Sequence, residues 1–165
     1  MVTEQRLSVH RCTHEDASSL RDLRLEALRD SPDAFGTTYE AASQWTLDEW
    51  AMMAGGWNFY LGDVDRHLAG MASGGSHDIH PGTLWLFAMY VSVYARGSGL
   101  AQELLDAVVT WARAEGGTVL YLHVSTRAPR ARAFYEKVGF RSNGEVMRMT
   151  RDPSIELVTM VKSLG

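Results

Sequence analysis

Cysteine, proline and long apolar runs are all scarce in this chain. Its 165 residues include one cysteine and four prolines, and no apolar run approaches the length that crosses a bilayer. A single cysteine cannot form a disulfide within the chain, so we expect Cys12 to be a small buried residue of a protein in a reducing compartment. The N-terminal residues lack an apolar signal core. These absences predict a cytoplasmic protein without membrane segments.

A surplus of basic residues is also lacking. The 16 lysines and arginines are outnumbered by 20 acidic residues, and the formal net charge is −4. A broad basic surface for nucleic acid is therefore not expected. No low-complexity block, charge run or repeat marks a linker, so residues 1–165 are predicted to form one domain. The expected partners are small molecules or peptides, with no nucleic acid and no membrane.

A glycine-containing turn at residues 96–101 is the most informative feature that is present. It joins an apolar strand, predicted for residues 84–93, to an amphipathic helix that begins at Leu100. The first turn of a helix has unpaired N–H groups and the positive end of the helix dipole, and both favour an anion. The glycines let the backbone turn tightly, and Arg96 adds a positive charge. The pattern predicts a phosphate site.

Two other glycine-rich phosphate motifs fit this turn poorly. A P-loop requires Lys and then Ser or Thr after its last glycine, whereas Leu100 and Ala101 follow Gly99. A dinucleotide-binding fingerprint that begins at Gly97 requires Gly or Ala where this chain has Gln102. A plain turn without a ligand is the remaining alternative, and the rest of the chain argues against it.

Hydrophobic periodicity and capping signals predict the order of the elements. The order is one strand, two helices, three strands, a helix, a strand, a helix and two strands. Capping boxes at Thr13 to Asp16 and Thr46 to Glu49 mark the starts of the first two helices. Residues 74–82 are rich in turn-forming types and are predicted to form a loop before the fourth strand. Gly139 is predicted to end the last helix in a left-handed conformation.

This order, with Arg96-Gly97-Ser98-Gly99-Leu100-Ala101 after the fourth strand, resembles the GCN5-related N-acetyltransferase (GNAT) superfamily over nearly the whole chain. The family's acetyl-CoA signature is Gln/Arg-x-x-Gly-x-Gly/Ala, and Arg96, Gly99 and Ala101 fill its three defined positions. A second family element, an aromatic pair ahead of Gly-Phe, is present in the segment 134–140. The resemblance implies an α/β (α+β) fold with a mixed central sheet of about seven strands and about four helices. The sheet would be splayed between its fourth and fifth strands.

The resemblance also implies acetyl-CoA as co-substrate and assigns residues to it. The backbone of Met89 and Val91 would pair with the pantetheine arm, and the amides of the turn would hold the pyrophosphate. Where the family often has an asparagine, this chain has Ala128. The cofactor-binding residues implied are Met89, Val91, Arg96, Gly97, Ser98, Gly99, Leu100, Ala101, Ala131 and Phe134.

Tyr135 is the residue predicted to take part in the chemistry. In the family this tyrosine lies near the thioester sulfur and protonates the departing thiolate, and a phenol with an ordinary pKa of about 10 is protonated at neutral pH. The alternative is that Tyr135 only packs in the core. The fourth strand lacks the glutamate that often acts as base in the family, so His123 is the first candidate base. The other candidates are Glu40, Asp78 and His80.

The implied reaction is direct attack of a primary amine on the acetyl thioester. The acceptor is a small-molecule amine or a protein or peptide amine. In the family the first two helices and their loop shape the acceptor site, which makes Phe35, Tyr39 and Glu40 the substrate-binding candidates. Glu40 near aromatic rings would receive a cationic amine. The alternative for the aromatic residues is packing of the helices on the sheet.

Three further points concern ligands and assembly. A non-catalytic CoA-binding sensor or interaction module is the alternative function. The spacing His77-x-x-His80 around Asp78 is similar to a metal site, but no further ligand accompanies it, the family needs no metal, and none is expected. Homodimers are common in the family, although no residue identifies a dimer surface here.

Overall fold

A seven-stranded mixed sheet organises residues 4–165, which are the residues that the computed structural model describes. The strands are β1 (Leu7–Arg11), β2 (Asn58–Val64), β3 (His67–His77), β4 (His80–Val91), β5 (Val119–Ser125), β6 (Arg141–Met149) and β7 (Asp152–Ser163). The helices are α1 (Ala17–Asp30), α2 (Tyr39–Ala42), α3 (Leu47–Gly56), α4 (Leu100–Ala114) and α5 (Pro129–Lys137). The strand order is β1-β2-β3-β4-β5-β7-β6. The predicted α/β (α+β) fold is confirmed.

Both predicted capping boxes are confirmed. Thr46 N–H donates to Glu49 Oε2 at 2.7 Å and Glu49 N–H donates to Thr46 Oγ1 at 3.2 Å, at the start of α3. The box at Thr13 begins a single 3₁₀ turn that leads into α1. The one-turn helix α2 was not predicted, because four residues are too few to produce a periodic pattern. Gly139 has φ of +103°, as its predicted helix-ending conformation requires.

The loop predicted for residues 74–82 is wrong. Strand β3 continues to His77 and β4 begins at His80, so the hairpin turn contains only two residues. The glycine at position 74 serves close packing: a Cβ there would lie 2.4 Å from the Trp111 ring of α4. Glycine at such a position permits the helix to approach the sheet.

Each face of the sheet has its own apolar core. On one face α4 packs its apolar stripe, including Leu104 and Val108, against the strands. On the other face α1 and α3 contribute Leu20, Leu23 and Trp50. Cys12 is buried in this second core, as predicted, and burial raises the pKa of its thiol to about 12. No helix in residues 4–165 has the length and apolar character needed to span a bilayer.

Strands β4 and β5 run parallel and then separate. They pair at Leu84 with Leu120 and at Trp85 with Tyr121, and no later pair joins them within residues 4–165. Both strands nevertheless continue, to Val91 and Ser125 respectively. The pairing of β4 with β3 is irregular in the same region, where Ala88 has φ of +54°. This bulge turns the end of β4 away from β5, which confirms the predicted splay.

Candidate active site

The free edge of β4 is the first element of the candidate site. Ser92 N–H donates to the Ala69 carbonyl of β3 at 2.7 Å. Because successive residues of an extended chain direct their hydrogen-bonding groups to opposite sides, Val91 and Met89 direct theirs toward β5. The strands have already separated there, so Met89 offers its backbone donor and acceptor to a ligand and Val91 offers its N–H group, while the Val91 carbonyl accepts from Arg96 Nε. This is the edge that the family resemblance assigns to the pantetheine arm.

The turn after β4 is held by its own hydrogen bonds. Ser98 N–H donates to Ala95 O at 3.2 Å, and Leu100 N–H donates to Ser98 Oγ at 3.3 Å. Arg96 N–H donates to Val93 O at 3.3 Å. Ser98 and Leu100 are therefore residues that shape the turn, and their amides are already engaged.

Four other amides at this turn donate to no acceptor within the described part of the chain. They belong to Gly97, Gly99, Ala101 and Gln102. Gly97 and Gly99 have φ of +81° and +94°, a conformation that glycine adopts without steric cost. Unpartnered amides at the start of a long helix form a site for an anion. Gln102 was not among the predicted residues, although its place in the first helical turn was a signal for it.

The guanidinium of Arg96 is engaged on the other side of the turn. Arg96 Nη2 lies 2.8 Å from Asp30 Oδ2 of α1, and Arg96 Nε donates to the Val91 carbonyl at 3.3 Å. The predicted positive charge is present, but a carboxylate partly neutralises it. Arg96 thus ties the turn to α1, and the free amides are the stronger feature for a phosphate.

These residues fit acetyl-CoA, the co-substrate that the resemblance implies. A free strand edge suits an extended arm that contains amide groups, and unpartnered amides at a helix start suit a diphosphate. The two features adjoin each other at Val91 to Gly97. Ala131 and Phe134 lie on α5 and pack partly buried against the core below α4. Ala128 is the N-cap residue of α5 and gives the helix no side-chain cap.

Tyr135 has a buried ring and an unengaged hydroxyl group. The residue is 7% exposed, and its ring packs against Phe134 and Phe140 at centroid distances of 5.6 Å each. The hydroxyl makes no hydrogen bond within residues 4–165 and is not an enclosed atom. Burial raises the pKa of the Tyr135 phenol above its ordinary value, which keeps it protonated at neutral pH. The phenol is therefore a protonated donor without an acceptor in the described residues.

His123 lies on β5 among other aromatic side chains. Its ring is 4.6 Å from Trp85 and 5.6 Å from His77, centroid to centroid. The Nε2 atom is enclosed and has no hydrogen-bond partner in the described residues. Burial, and then the nearby His77 and His80, lower the pKa of His123 to about 4, while Glu145 opposes this shift. His123 is therefore a neutral and weak base at pH 7.

The surroundings of His123 form what we call the aromatic wall: Trp85 and Phe87 of β4, Tyr121 and His123 of β5, and His77 of β3. The wall lies on the face opposite α4, because the alternate residues of β4, Leu84 and Leu86, pack toward α4. Within residues 4–165 no three potential ligands are grouped to hold a metal. The sequence missed the wall because it depends on pairing between three strands.

The predicted acceptor residues are not all in one place. Phe35 is buried in the core beneath α1. Tyr39 and Glu40 line a cavity of about 280 Å³ with Arg29 and Arg151. The guanidinium of Arg29 lies 4.4 Å above the Tyr39 ring, so an acceptor amine cannot use that face of the ring.

The sequence analysis did not select two polar residues of α1, Arg24 and Glu26. Glu26 accepts hydrogen bonds from the Tyr90 hydroxyl at 2.9 Å and the Ser92 hydroxyl at 2.5 Å. Arg24 lies on the apolar stripe of α1, in the middle of a core-facing surface. The signal for Arg24 was present in the sequence, because a cation four residues from Leu20 and Leu28 interrupts that stripe.

Comparison with known proteins identifies the fold. The sequence model of the acetyltransferase (GNAT) family matches residues 20–140. A GNAT-family structure from Desulfovibrio desulfuricans is 25% identical, with a TM-score of 0.69 over 98% of this chain and 99% of that one. The acetyltransferase of the GNAT family from Streptococcus pneumoniae is 20% identical, with a TM-score of 0.79 over 97% and 100%. The protein yncA from Salmonella typhimurium, solved with its cofactor acetyl-CoA, is 17% identical, with a TM-score of 0.74 over 96% and 94%.

No curated protein sequence matches the chain. The family match spans well over half of its length, and the chain therefore belongs to the acetyltransferase (GNAT) family. It is an acetyltransferase with acetyl-CoA as its co-substrate, as the sequence predicted.

A pH experiment tests the environment of His123. Its pKa is lowered on folding, so the unfolded chain binds a proton between about pH 6.5 and pH 4 while the folded protein does not. The wild type loses stability through this window as pH falls. The His123→Gln variant, which cannot titrate, is expected to lose about 1–2 kcal/mol less between pH 7 and pH 4.5, after allowance for partial exposure. Urea unfolding at both pH values measures this difference, and equal losses in the two proteins would contradict the assignment.

Proposed function

We propose that this acetyltransferase transfers the acetyl group to a primary amine of a small molecule or peptide, by direct attack of the amine on the thioester. The opening between β4 and β5 carries the proposal. Its free backbone edge, at Met89 and Val91, leads directly to the unpartnered amides at the start of α4. Helix α5, which carries Tyr135, packs against β5 on the other side of the opening.

Backbone groups make most of the proposed contacts to acetyl-CoA. Acetyl-CoA supplies an activated acetyl thioester. Met89 holds the extended arm through its N–H and C=O groups, and the Val91 N–H polarises the carbonyl oxygen that becomes negatively charged during attack. The amides of Gly97, Gly99 and Ala101 hold the pyrophosphate. Ala131 and Phe134 cover the arm from α5.

Tyr135 is proposed as the proton donor to the leaving thiolate. Its hydroxyl has no partner among the described residues, and its raised pKa keeps the proton available at neutral pH. A thiol has an ordinary pKa of about 8.5, so protonation assists its departure. No nucleophilic side chain is needed, because the amine attacks the thioester itself.

On the acceptor side, His123 is proposed to receive the amine in its neutral form. A base with a pKa of about 4 takes up few protons at pH 7. The lone pair of Nδ1, the ring nitrogen that is not enclosed, instead accepts a hydrogen bond from the attacking amine, and the excess proton leaves to solvent. Tyr39 and Glu40 lie at the neighbouring cavity, where Glu40 is exposed, while buried Phe35 supports the site from below.

Measurement of thiol release tests this function. Acetyl-CoA is mixed with the protein and a panel of amino acids, polyamines, aminoglycosides and short peptides, with reactions lacking an amine as controls. Mass spectrometry then locates the acetyl group on the product. Thiol release that depends on one amine class, with an N-acetylated product, supports the proposal. Binding of acetyl-CoA without turnover on any amine would instead favour the sensor that the sequence analysis left as an alternative.

Three predictions remain as the sequence made them. The single domain over residues 1–165 and the cytoplasmic location are predictions from composition. Homodimer formation is predicted only because homodimers are common in the family. Gel filtration and localisation of a tagged protein are the measurements for them.

A further inference from the structure

Arg24 is a partly buried cation on the core-facing side of α1, with two of its three guanidinium nitrogens enclosed. The buried residues of this helix are Ala17, Leu20, Leu23, Ala27 and Leu28. Arg24 is four residues from both Leu20 and Leu28, so it projects from the same stripe. Arginine is almost never buried in this way unless a partner neutralises it.

No partner for this cation is present among residues 4–165. The Nε and Nη1 atoms of Arg24 are enclosed and make no hydrogen bond, and no carboxylate forms an ion pair with the side chain. Burial alone lowers the pKa of Arg24 to about 10, with no contribution from a neighbouring charge. The group is therefore still protonated at pH 7. The Phe35 ring gives this charge a weak cation–π contact but no hydrogen bond, and two enclosed guanidinium nitrogens without acceptors are unfavourable, which indicates that a ligand completes the site.

The guanidinium group lies on the acceptor side of the sheet. Its central carbon is 6.0 Å from the centroid of the Phe35 ring, which follows the turn Pro32–Ala34. Helix α1 packs on β3 and this turn packs on β5, so the space between them covers β4 on the side of the aromatic wall. The third nitrogen, Nη2, also lacks a hydrogen bond but is not enclosed. An anion has access to the group at that atom.

The phosphates of acetyl-CoA are assigned to a different place. The phosphate turn contacts α1 through the ion pair of Arg96 with Asp30. Asp30 is six residues after Arg24, which places it about 9 Å further along the helix axis. Arg24 therefore requires an anion that belongs to the acceptor.

We propose that Arg24 binds the carboxylate of the acceptor, and that the acceptor is a free amino acid. The proposal rests on the proposed function, because it names the substrate class of the same site. A carboxylate at the accessible Nη2 of Arg24 accepts a charge-assisted hydrogen bond from the guanidinium group. An amino acid has its amine close to its carboxylate, so one cation fixes the position of the attacking nitrogen. Polyamines and aminoglycosides bring only further positive charge to this partly buried cation.

The test compares amino acids with their carboxamides, which keep the amine and the side chain but lack the carboxylate. The wild type is expected to show kcat/KM at least about tenfold higher for an amino acid than for its carboxamide, because a charged hydrogen bond is lost in the amide. In Arg24→Met this ratio falls toward one. The control Arg21→Met removes an exposed arginine of the same helix, which pairs with Asp22, and keeps the wild-type ratio. Wild-type ratios near one, or an unchanged ratio in Arg24→Met, overturn the proposal while leaving acetyl transfer to amines intact.

Two measurements do not depend on turnover. With CoA present, free amino acids are expected to raise the Tm of the wild type and of Arg21→Met but not that of Arg24→Met. This Tm measurement tests the role of Arg24 even if no amine is acetylated. If amino acids do not raise the Tm of the wild type, the proposal is overturned. Without ligand, Arg24→Met is expected to melt above the wild type, because an unpaired, partly buried charge is removed. A lower Tm indicates a structural role for Arg24 and overturns the proposal.

A second variant covers the case in which Arg24→Met does not fold. Arg24→Lys keeps the charge and most of the apolar stem, but its single, shorter ammonium group lacks the Nη2 donor that the carboxylate needs. If the amino acid to carboxamide ratio of kcat/KM in Arg24→Lys is several-fold below the wild-type ratio, the proposal is supported. An unchanged ratio contradicts it.

Discussion

The Tyr135→Phe variant is expected to lose about 100- to 10,000-fold in kcat, the range typical for removal of a general acid. Its affinity for acetyl-CoA is expected to stay at the wild-type value, because the backbone edge of β4 and the amides of the turn are unchanged. The ring of Tyr135 packs between Phe134 and Phe140, and phenylalanine preserves that packing. Thiol release under saturating substrates gives kcat, and calorimetry gives the affinity.

Tyr60→Phe is the matched control for this variant. Tyr60 is a partly buried tyrosine of β2, where it packs against the core under α4 without a role in the proposed site. Its loss of a hydroxyl should leave kcat within about twofold of the wild type, as expected for a substitution that keeps the packing. If Tyr135→Phe retains wild-type kcat, Tyr135 is a packing residue and another group protonates the thiolate.

The pH dependence of wild-type activity also tests the protonation state of Tyr135. An ordinary tyrosine would ionise near pH 10, and a proton donor would then be lost. The raised pKa of Tyr135 places that loss at higher pH. Activity is therefore expected to show no decline caused by this group up to about pH 10.

The Ala101→Glu variant is expected to weaken acetyl-CoA binding by about 30- to 200-fold, through repulsion of like charges at close range in a partly screened environment. Ala101 is in the first turn of α4, and its amide is one of the four that have no acceptor in the described residues. A carboxylate at this position also interacts favourably with the helix dipole, so the fold should not lose stability. Calorimetry measures the affinity and thermal unfolding measures the stability.

Ala101→Gln separates charge from size in this experiment. Glutamine has the length of glutamate without its charge, so any steric effect appears in both variants. We expect a loss of affinity of less than about tenfold for glutamine. Equal losses in the two variants would mean that the turn does not hold an anion, even if the protein binds acetyl-CoA elsewhere.

The sequence predicted what depends on neighbouring residues along the chain. The capping boxes at Thr13 and Thr46, the amphipathic stripe of α4 and the glycines of the turn are local features, and each appears in the structure. Their side chains and backbone contacts are satisfied within a few residues. A single sequence is sufficient for such features because the interacting groups are adjacent in it.

Features that depend on distant pairing were predicted less well. Gly74 suggested a turn, but in the structure it leaves room for Trp111, which is 37 residues away in the chain. The aromatic wall requires the register of β3, β4 and β5, which no local pattern specifies. The same holds for the base, because the low pKa of His123 arises from burial and from His77 and His80.

The acceptor site lies between these two cases. The sequence placed Tyr39 and Glu40 near an acceptor, and the structure brings them to one cavity, but it also places Arg29 over the Tyr39 ring. The sequence pattern shows Arg24 as a cation within the apolar stripe of α1. Only the structure shows that no carboxylate in residues 4–165 reaches it.

Amide hydrogen exchange with and without acetyl-CoA tests the central claim most directly, because that claim assigns the co-substrate to particular backbone N–H groups. With saturating acetyl-CoA, NMR should show exchange slowed at least about tenfold at Gly97, Gly99, Ala101 and Gln102, with protection also at Met89 and Val91. The amides of Ser98 and Leu100 already have acceptors and should change less. Protection of amides elsewhere, with the four amides of the turn unchanged, would contradict the account.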